Sequence, residues 1–216
     1  MRVLYWTGLI VFVDQASKLL VKGGFSLPFI GYWPGMEIGT SFPVLGDFFK
    51  LTFIENPGMA FGIDVGGKLF LTVFSTLASA GIFYYLFKIR DEALIIRISL
   101  AMILGGAIGN LIDRVFYGVI FGDGSLFYGK VVDFLDVDFF NIDVVGFHIS
   151  RWPIFNIADA AVSIGVIVLL IFHRKFTAVE DRAMVLAANS VPSSEPRPMS
   201  DPTTDLRKDG SSNSQS

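Results

Sequence analysis

The chain has 216 residues, of which 52% are hydrophobic and 17% charged, with a formal net charge of −3 and a mean hydropathy of +0.59. So much apolar mass, gathered in long runs between short polar stretches, excludes an ordinary soluble domain and marks a polytopic membrane protein. The absence of cysteine removes disulfides and thiol chemistry, the lack of a basic cluster argues against nucleic acid as a partner, and the two distant histidines, His148 and His173, make no zinc-ligand spacing.

Four segments reach the roughly 20 apolar residues that a bilayer demands. The first covers about 3–21. It follows Arg2 like a signal peptide, but no small-residue cleavage site follows, and Asp14, Gln15 and Lys18 interrupt it, so a retained helix is expected. Asp14 and Lys18 lie four apart on one face, either as an internal ion pair that fixes packing or as polar ligands of a site. The connection from about 22 to 68 holds short β-like runs such as Phe48–Ile54, broken by Gly and Pro. A small sheet over about 25–65, resting on the membrane surface, is expected there.

The second span covers about 69–87 and the third about 94–112. The third ends Gly105-Gly106-Ala107-Ile108-Gly109-Asn110-Leu111-Ile112-Asp113-Arg114. Gly105 and Gly109 have the small-xxx-small spacing that lets a second helix approach closely. Asn110, Asp113 and Arg114 fall at i, i+3 and i+4 on one face at the membrane boundary. This is either a helix end with an interfacial charge pair or part of a site.

The next connection, about 113–152, contains Val131-Val132-Asp133-Phe134-Leu135-Asp136. The fourth span, about 153–172, opens Trp152-Pro153-Ile154-Phe155-Asn156-Ile157-Ala158-Asp159. Pro153 suits a first helical turn, which would put Asp159 about 9 Å below the helix start at 1.5 Å per residue. A carboxylate in such surroundings is either hydrogen-bonded glue between helices or functional. From Asn189 the chain is rich in Ser, Pro, Asp and Gly, so residues 177–216 are expected to form a mostly disordered tail.

Lys and Arg bias sets the orientation. Arg2, then Lys88, Arg90 and Arg97, then Arg174, Lys175 and Arg182 fall on one side of a four-span arrangement. That side is expected to be cytoplasmic, with both termini there and both long connections outside.

With no thiol, no zinc spacing and no serine in a nucleophile elbow, any chemistry must come from carboxylates, amides and hydroxyls. Asp133 lies between the outer ends of the third and fourth spans, where it can meet Asp159. Two facing carboxyls share a proton, so one can activate water while the other acts as acid. Asp136, Asp138 and Asp143 compete for the same role by spacing alone. A proton-coupled transporter component is the alternative, because intramembrane charges are expected there too.

Four motifs in order carry a more specific signal: Asp14-Gln15-Ala16-Ser17-Lys18; Glu55-Asn56-Pro57-Gly58-Met59-Ala60-Phe61-Gly62; Gly106 to Arg114 with Val131-Val132-Asp133-Phe134; and Phe155-Asn156-Ile157-Ala158-Asp159. Together, over roughly the first 175 residues, they resemble lipoprotein signal peptidase, also called signal peptidase II. The resemblance implies an all-α membrane protein with four transmembrane helices, a small extracytoplasmic β-sheet and a flexible outer loop or short helix. The peptidase domain would span 1–176. It implies an aspartic endopeptidase of the bacterial cytoplasmic (inner) membrane, active near the outer face, with no metal and no cofactor. Asp133 and Asp159 match the family's catalytic pair, and Asn56, Asn110, Asp113, Arg114, Asn156, Asp14 and Lys18 match its supporting polar residues. The implied partners are diacylglyceryl-modified prolipoproteins, cleaved just before the lipidated cysteine, membrane lipid, and an inhibitor of the globomycin type. The stretch from Val115 to Lys130 is longer than the family's usual link, and an extra helix or a flap over the site is the expectation for it.

Overall fold

A computed structural model of the chain describes residues 1–29, 31–60, 63–64, 67–138, 142–144, 147–149 and 152–172. The expected tail over 177–216 lies outside the described residues. In chain order the elements are α1 (Leu4–Lys22), β1 (Phe25–Leu27), β2 (Gly31–Trp33), β3 (Ser41–Leu45), β4 (Phe49–Asn56), β5 (Met59–Ala60), β6 (Ile63–Asp64), α2 (Gly67–Lys88) and α3 (Leu94–Ile112). There follow a π-helical turn (Asp113–Tyr117), the single turn α4 (Gly118–Ile120), β7 (Val131–Val137), β8 (Ile142–Val144) and β9 (Phe147–Ile149). The last is α5 (Ile157–Phe172).

Among the described residues three helices are long and apolar enough to cross a membrane: Leu4–Lys22, Leu69–Lys88 and Leu94–Ile120. Helix α5 is apolar but shorter. It begins four residues later than the expected span. Residues 152–155 are not helical because the Phe155 backbone pairs with β7 instead: its N–H donates to Leu135 O at 3.1 Å, and its carbonyl accepts from Leu135 N at 2.7 Å and Phe134 N at 3.0 Å. Pro153 therefore lies in an extended approach and not in a first helical turn. Asp159 sits in the first turn of α5, at the helix mouth rather than deep along it.

Helix α1 packs on α3 through glycine. A Cβ on Gly105 would sit 3.0 Å from Ile10 Cβ, and one on Gly109 would sit 2.6 Å from Asp14 Oδ2. The expected small-residue seam is thus the seat of α1. The hydroxyl of Thr7 crosses the same seam to Ala101 O at 2.9 Å. Gly106 faces the other way, and a Cβ there would meet Ala158 O of α5 at 2.2 Å. The outward faces of α1 and α2 carry exposed Tyr5, Leu9, Phe12, Phe70, Phe74 and Leu77, the apolar surface that lipid tails cover.

Strand content exceeds the one small sheet expected from the first connection. The largest sheet among the described residues is antiparallel, in the order β3-β4-β7, and so recruits its third strand from the second connection. The pairs Ile54↔Asp133, Glu55↔Val132 and Asn56↔Val131 fix the register. Because side chains alternate, Asp133 and Asn56 share one face, whereas Glu55, Phe53, Val132 and Phe134 share the other. On that second face Phe53, Val132 and Phe134 close with Val21 of α1 and Tyr117 of the π turn into a buried apolar cluster, with Glu55 at its edge paired to lysines.

Within the stretch from Val115 to Lys130, expected as an extra helix or a flap, the helical part is short: the end of the π turn and the single turn α4. After the α4 turn the chain folds back on the π turn, with Phe127 N–H donating to Val115 O at 3.0 Å and Gly129 N–H to Arg114 O at 2.9 Å.

Because the atom facing Gly106 is backbone, Gly106→Ala should force α3 and α5 apart and cost about 1–3 kcal/mol, the usual range for overpacking. Gly81, in α2, has nothing within 4 Å of an added Cβ, and Gly81→Ala should leave the thermal midpoint in detergent unchanged or slightly higher. Comparing the two midpoints with wild type checks the assignment.

Candidate active site

Lys18 is fully buried in the α1–α3 seam, and an ammonium there must be neutralised. Its Nζ lies 2.9 Å from Asp14 Oδ2 and 2.8 Å from Asp113 Oδ2, both carboxylates being fully buried too, and donates to Asn110 Oδ1 at 2.9 Å. All three ammonium hydrogens are matched. The i, i+4 ion pair expected in the first helix is present and is half of a larger cluster.

Each carboxylate has a free oxygen or lone pair that reaches a backbone amide. Asp14 Oδ1 accepts Ala158 N–H of α5 at 2.9 Å. Asp113 Oδ2 also accepts Val132 N–H of β7 at 3.2 Å. Gln15, quoted in the first motif but given no role there, belongs to the same cluster. Its Nε2 lies within 3.1 Å of Asp14 Oδ2, Asp113 Oδ1 and Gly109 O, and its Oε1 accepts the Tyr117 hydroxyl at 3.1 Å. The available signal was a primary amide next to Asp14 in an otherwise apolar helix.

Asn156 precedes α5 and caps it. Its Oδ1 accepts Asp159 N–H at 2.9 Å, while its own N–H donates to Asp159 Oδ2 at 3.3 Å. This reciprocal pair is a capping box built from Asn and Asp. The Asn156 Nδ2 donates to Asp133 Oδ1 at 2.6 Å and reaches Asn110 Oδ1 at 3.1 Å and Val132 O at 3.3 Å. Asn156 therefore holds both Asp133 and Asp159. The second Asp159 oxygen, Oδ1, accepts Asn110 Nδ2 at 2.8 Å. The second Asp133 oxygen accepts Asn56 Nδ2 at 3.3 Å. Asn56 is aimed by its own turn, because Gly58 N–H donates to its Oδ1 at 2.9 Å.

The competing aspartates separate by position on the strand. Asp136, three residues beyond Asp133, accepts the Thr52 hydroxyl at 2.6 Å inside the sheet. Asp138 follows the end of β7, and the side chain of Asp143 lies outside the described residues. Asp133 is 2% exposed, and burial, then the Asp159 charge, push its carboxyl up to about 7 against hydrogen bonds from Asn56 and Asn156. Asp133 is thus suited to hold a proton near neutral pH.

Arg114 lies half-buried on the π turn. Its guanidinium reaches Asn110 O at 3.4 Å, and its buried Nε has no hydrogen-bond partner among the described residues. A π turn widens the helix and recurs at functional sites. Here Asp113 turns to Lys18 while Arg114 keeps donors to spare. Seven of the nine expected site residues, Asp14, Lys18, Asn110, Asp113, Asn156, Asp133 and Asp159, form one hydrogen-bonded network. Asn56 joins it through Asp133, and Arg114 through the Asn110 carbonyl. No group of three or more metal-binding side chains occurs among the described residues.

Residues 6–175 match the family described as signal peptidase (SPase) II. The lipoprotein signal peptidase of Syntrophus aciditrophicus is 38% identical over 175 residues, which cover 78% of this chain and 89% of that protein. The one from Pelodictyon phaeoclathratiforme is 34% identical over 172 residues, covering 80% and 89%. A bacterial membrane enzyme solved by the in meso method superposes with a TM-score of 0.61 at 30% identity, covering 82% of this chain and 89% of its own.

Replacing Lys18 by Met leaves two buried carboxylates without their cation and should cost about 3–5 kcal/mol, read as a fall in the thermal midpoint. A pH effect follows from Asp133. Its proton is held more tightly in the fold, at about 7, than at the ordinary 3.8. That contribution to stability is complete below about pH 4 and is lost as pH rises through about 7. Asp133→Asn cannot ionise, so its midpoint should gain on wild type between pH 4 and pH 8; a constant gap would contradict the raised value.

Proposed function

This chain belongs to the signal peptidase II family of membrane aspartic peptidases, which remove signal peptides from prolipoproteins, and from that premise we propose that Asp133 and Asp159 are its catalytic pair. The observation that carries this reading is the double hold of Asn156, whose side chain bonds Asp133 while its backbone bonds Asp159. One residue thus sets the two carboxyls against each other. The alternative of a proton-coupled transporter component finds no support, since the family is a peptidase family.

The pair shares a proton. The ionised carboxyl takes a proton from water as it attacks the scissile carbonyl, and the protonated one donates to the carbonyl oxygen. A proton then passes to the departing nitrogen, the C–N bond breaks, and the pair returns to its starting state. The macroscopic titration belongs to the pair and not to either residue. Arg114, with donors left over, and the amides of Asn56 and Asn110 are suited to hold substrate backbone and ester oxygens.

The substrate class follows from depth. Asp159 lies at the mouth of α5 and Asp133 on a strand beyond the end of α3, a level we take as that of the membrane surface. A prolipoprotein whose cysteine carries diacylglycerol presents its scissile bond at that depth, because the lipid anchors one side and the apolar signal segment the other. Cleavage falls just before that cysteine. The same site would take a globomycin-type inhibitor. Four passes, an inner-membrane location, cytoplasmic termini and a site at the outer face accord with Arg2 and with Lys88, Arg90 and Arg97 lying at one end of the helices.

Asp133→Asn and Asp159→Asn should each reduce cleavage of a diacylglyceryl-modified prolipoprotein by about 10²–10⁴-fold, the scale of a lost acid or base, while the protein remains folded in detergent. An undiminished rate in either variant would remove that residue from the pair. In wild type, kcat/KM should fall on the alkaline side as the pair loses its last proton.

A further inference from the structure

Outside this network lies a second cluster of charged side chains, on the opposite face of the sheet. Glu55 is largely buried and is gripped by two lysines. Lys130 Nζ donates to its Oε2 at 2.7 Å, and Lys22 Nζ donates to its Oε1. Lys22, the last residue of α1, also bonds Asp123 Oδ2 at 3.0 Å and sits over the Phe121 ring at 4.5 Å. Burial alone would raise the Glu55 carboxyl, but the hydrogen bonds from Lys130 and Lys22 outweigh it and leave it below the usual range. The group is an anion at working pH.

Glu55 immediately precedes Asn56, and Lys130 immediately precedes β7. The clamp therefore joins the last residues of β4 to the residue that leads toward Asp133, and anchors both to the end of α1. Beyond Asn56 the chain leaves the sheet at Pro57-Gly58, so nothing further along β4 can hold its end in register. The Asn56–Asp133 contact is long, 3.3 Å, and a small drift of the strand end would open it.

We propose that Glu55, clamped by Lys22 and Lys130, is a positioning residue that holds Asn56 against Asp133. The inference rests on the reading of Asp133 as catalytic. Glu55 bonds Lys22 and Lys130 and neither of the two carboxyls, and so acts through its neighbour. The groups that face Asp133 directly are Asp159 and Asn156 at the head of α5 and Asn56 of β4, with Lys18 of α1 and Arg114 of the π turn nearby.

The test is a double-mutant cycle on the full chain in detergent, with a diacylglyceryl-modified prolipoprotein as substrate. Glu55→Gln should lower kcat about 10–100-fold, the size of effect expected from slight misplacement of a catalytic group, with KM changed by less than about twofold. The alkaline limb of the pH–rate profile should move upward, because an Asn56 donor that has drifted no longer favours the ionised Asp133. Lys130→Met should act in the same direction and more weakly, since Lys130 is the more exposed partner. In an Asn56→Ala background, Glu55→Gln should add little. Full additivity of the two changes, or a Glu55→Gln enzyme with normal kcat and an unmoved pH profile, overturns the proposal. If Glu55→Gln does not fold, the same cycle with Lys130→Met decides. Asp133→Asn separates the two levels: full activity there overturns the catalytic reading itself, whereas loss there with additive Glu55 and Asn56 effects overturns only the positioning role.

Discussion

A single buried ammonium organises this protein. Lys18 has no access to water, and the desolvation of such an ion costs several kcal/mol unless anions and hydrogen-bond acceptors offset it. Asp14 and Asp113 do so, but each is itself buried and needs further donors. Asp14 finds one in Ala158 N–H and Asp113 one in Val132 N–H. Ala158 immediately precedes Asp159, and Val132 immediately precedes Asp133. The backbone leading into each member of the pair is thus held by a carboxylate on the same lysine. Lys18 touches neither Asp133 nor Asp159 by hydrogen bond, yet it fixes where both chains arrive.

Between that charged hub and the pair lies a layer of neutral amides. Asn110 accepts from Lys18 and donates to Asp159. Asn156 bridges Asp133, Asp159 and Asn110. An amide can donate and accept at once without adding charge. The pair is therefore oriented on every side without the field of a directly bonded cation, which would hold both carboxyls ionised. Burial can then keep a proton on Asp133 at neutral pH, the condition that acid–base work by two carboxyls requires.

Local patterns in the sequence were enough for what local physics determines. The i, i+4 spacing of Asp14 and Lys18, the Gly105–Gly109 seam and the apolar helices could all be read from periodicity. The placement of Asp133 could not, because it depends on β7 pairing with β4 some 80 residues away, a partnership that no window of sequence contains. Spacing therefore left Asp136 and Asp138 as equals of Asp133, and only the order of motifs chose among them. In the structure strand alternation separates Asp136, which turns into the sheet toward Thr52. Pro153 misled for a related reason. Its fit to a first helical turn is a local preference, overridden by the pairing of Phe155 with Leu135.

The long segment before β7, which suggested a flap, answers instead to the π turn. Widening a helix breaks the regular i→i−4 ladder and leaves carbonyls without their usual partners, and near lipid an unpaired carbonyl is costly. The returning chain supplies the donors, Phe127 N–H to Val115 O and Gly129 N–H to Arg114 O. Gly129 is needed there because a Cβ would lie 2.0 Å from Asp113 O. The π turn directs Asp113 to the hub and leaves Arg114 donors for the site, the returning loop makes that turn affordable, and its end delivers Lys130 to Glu55. The segment therefore supports these groups from behind.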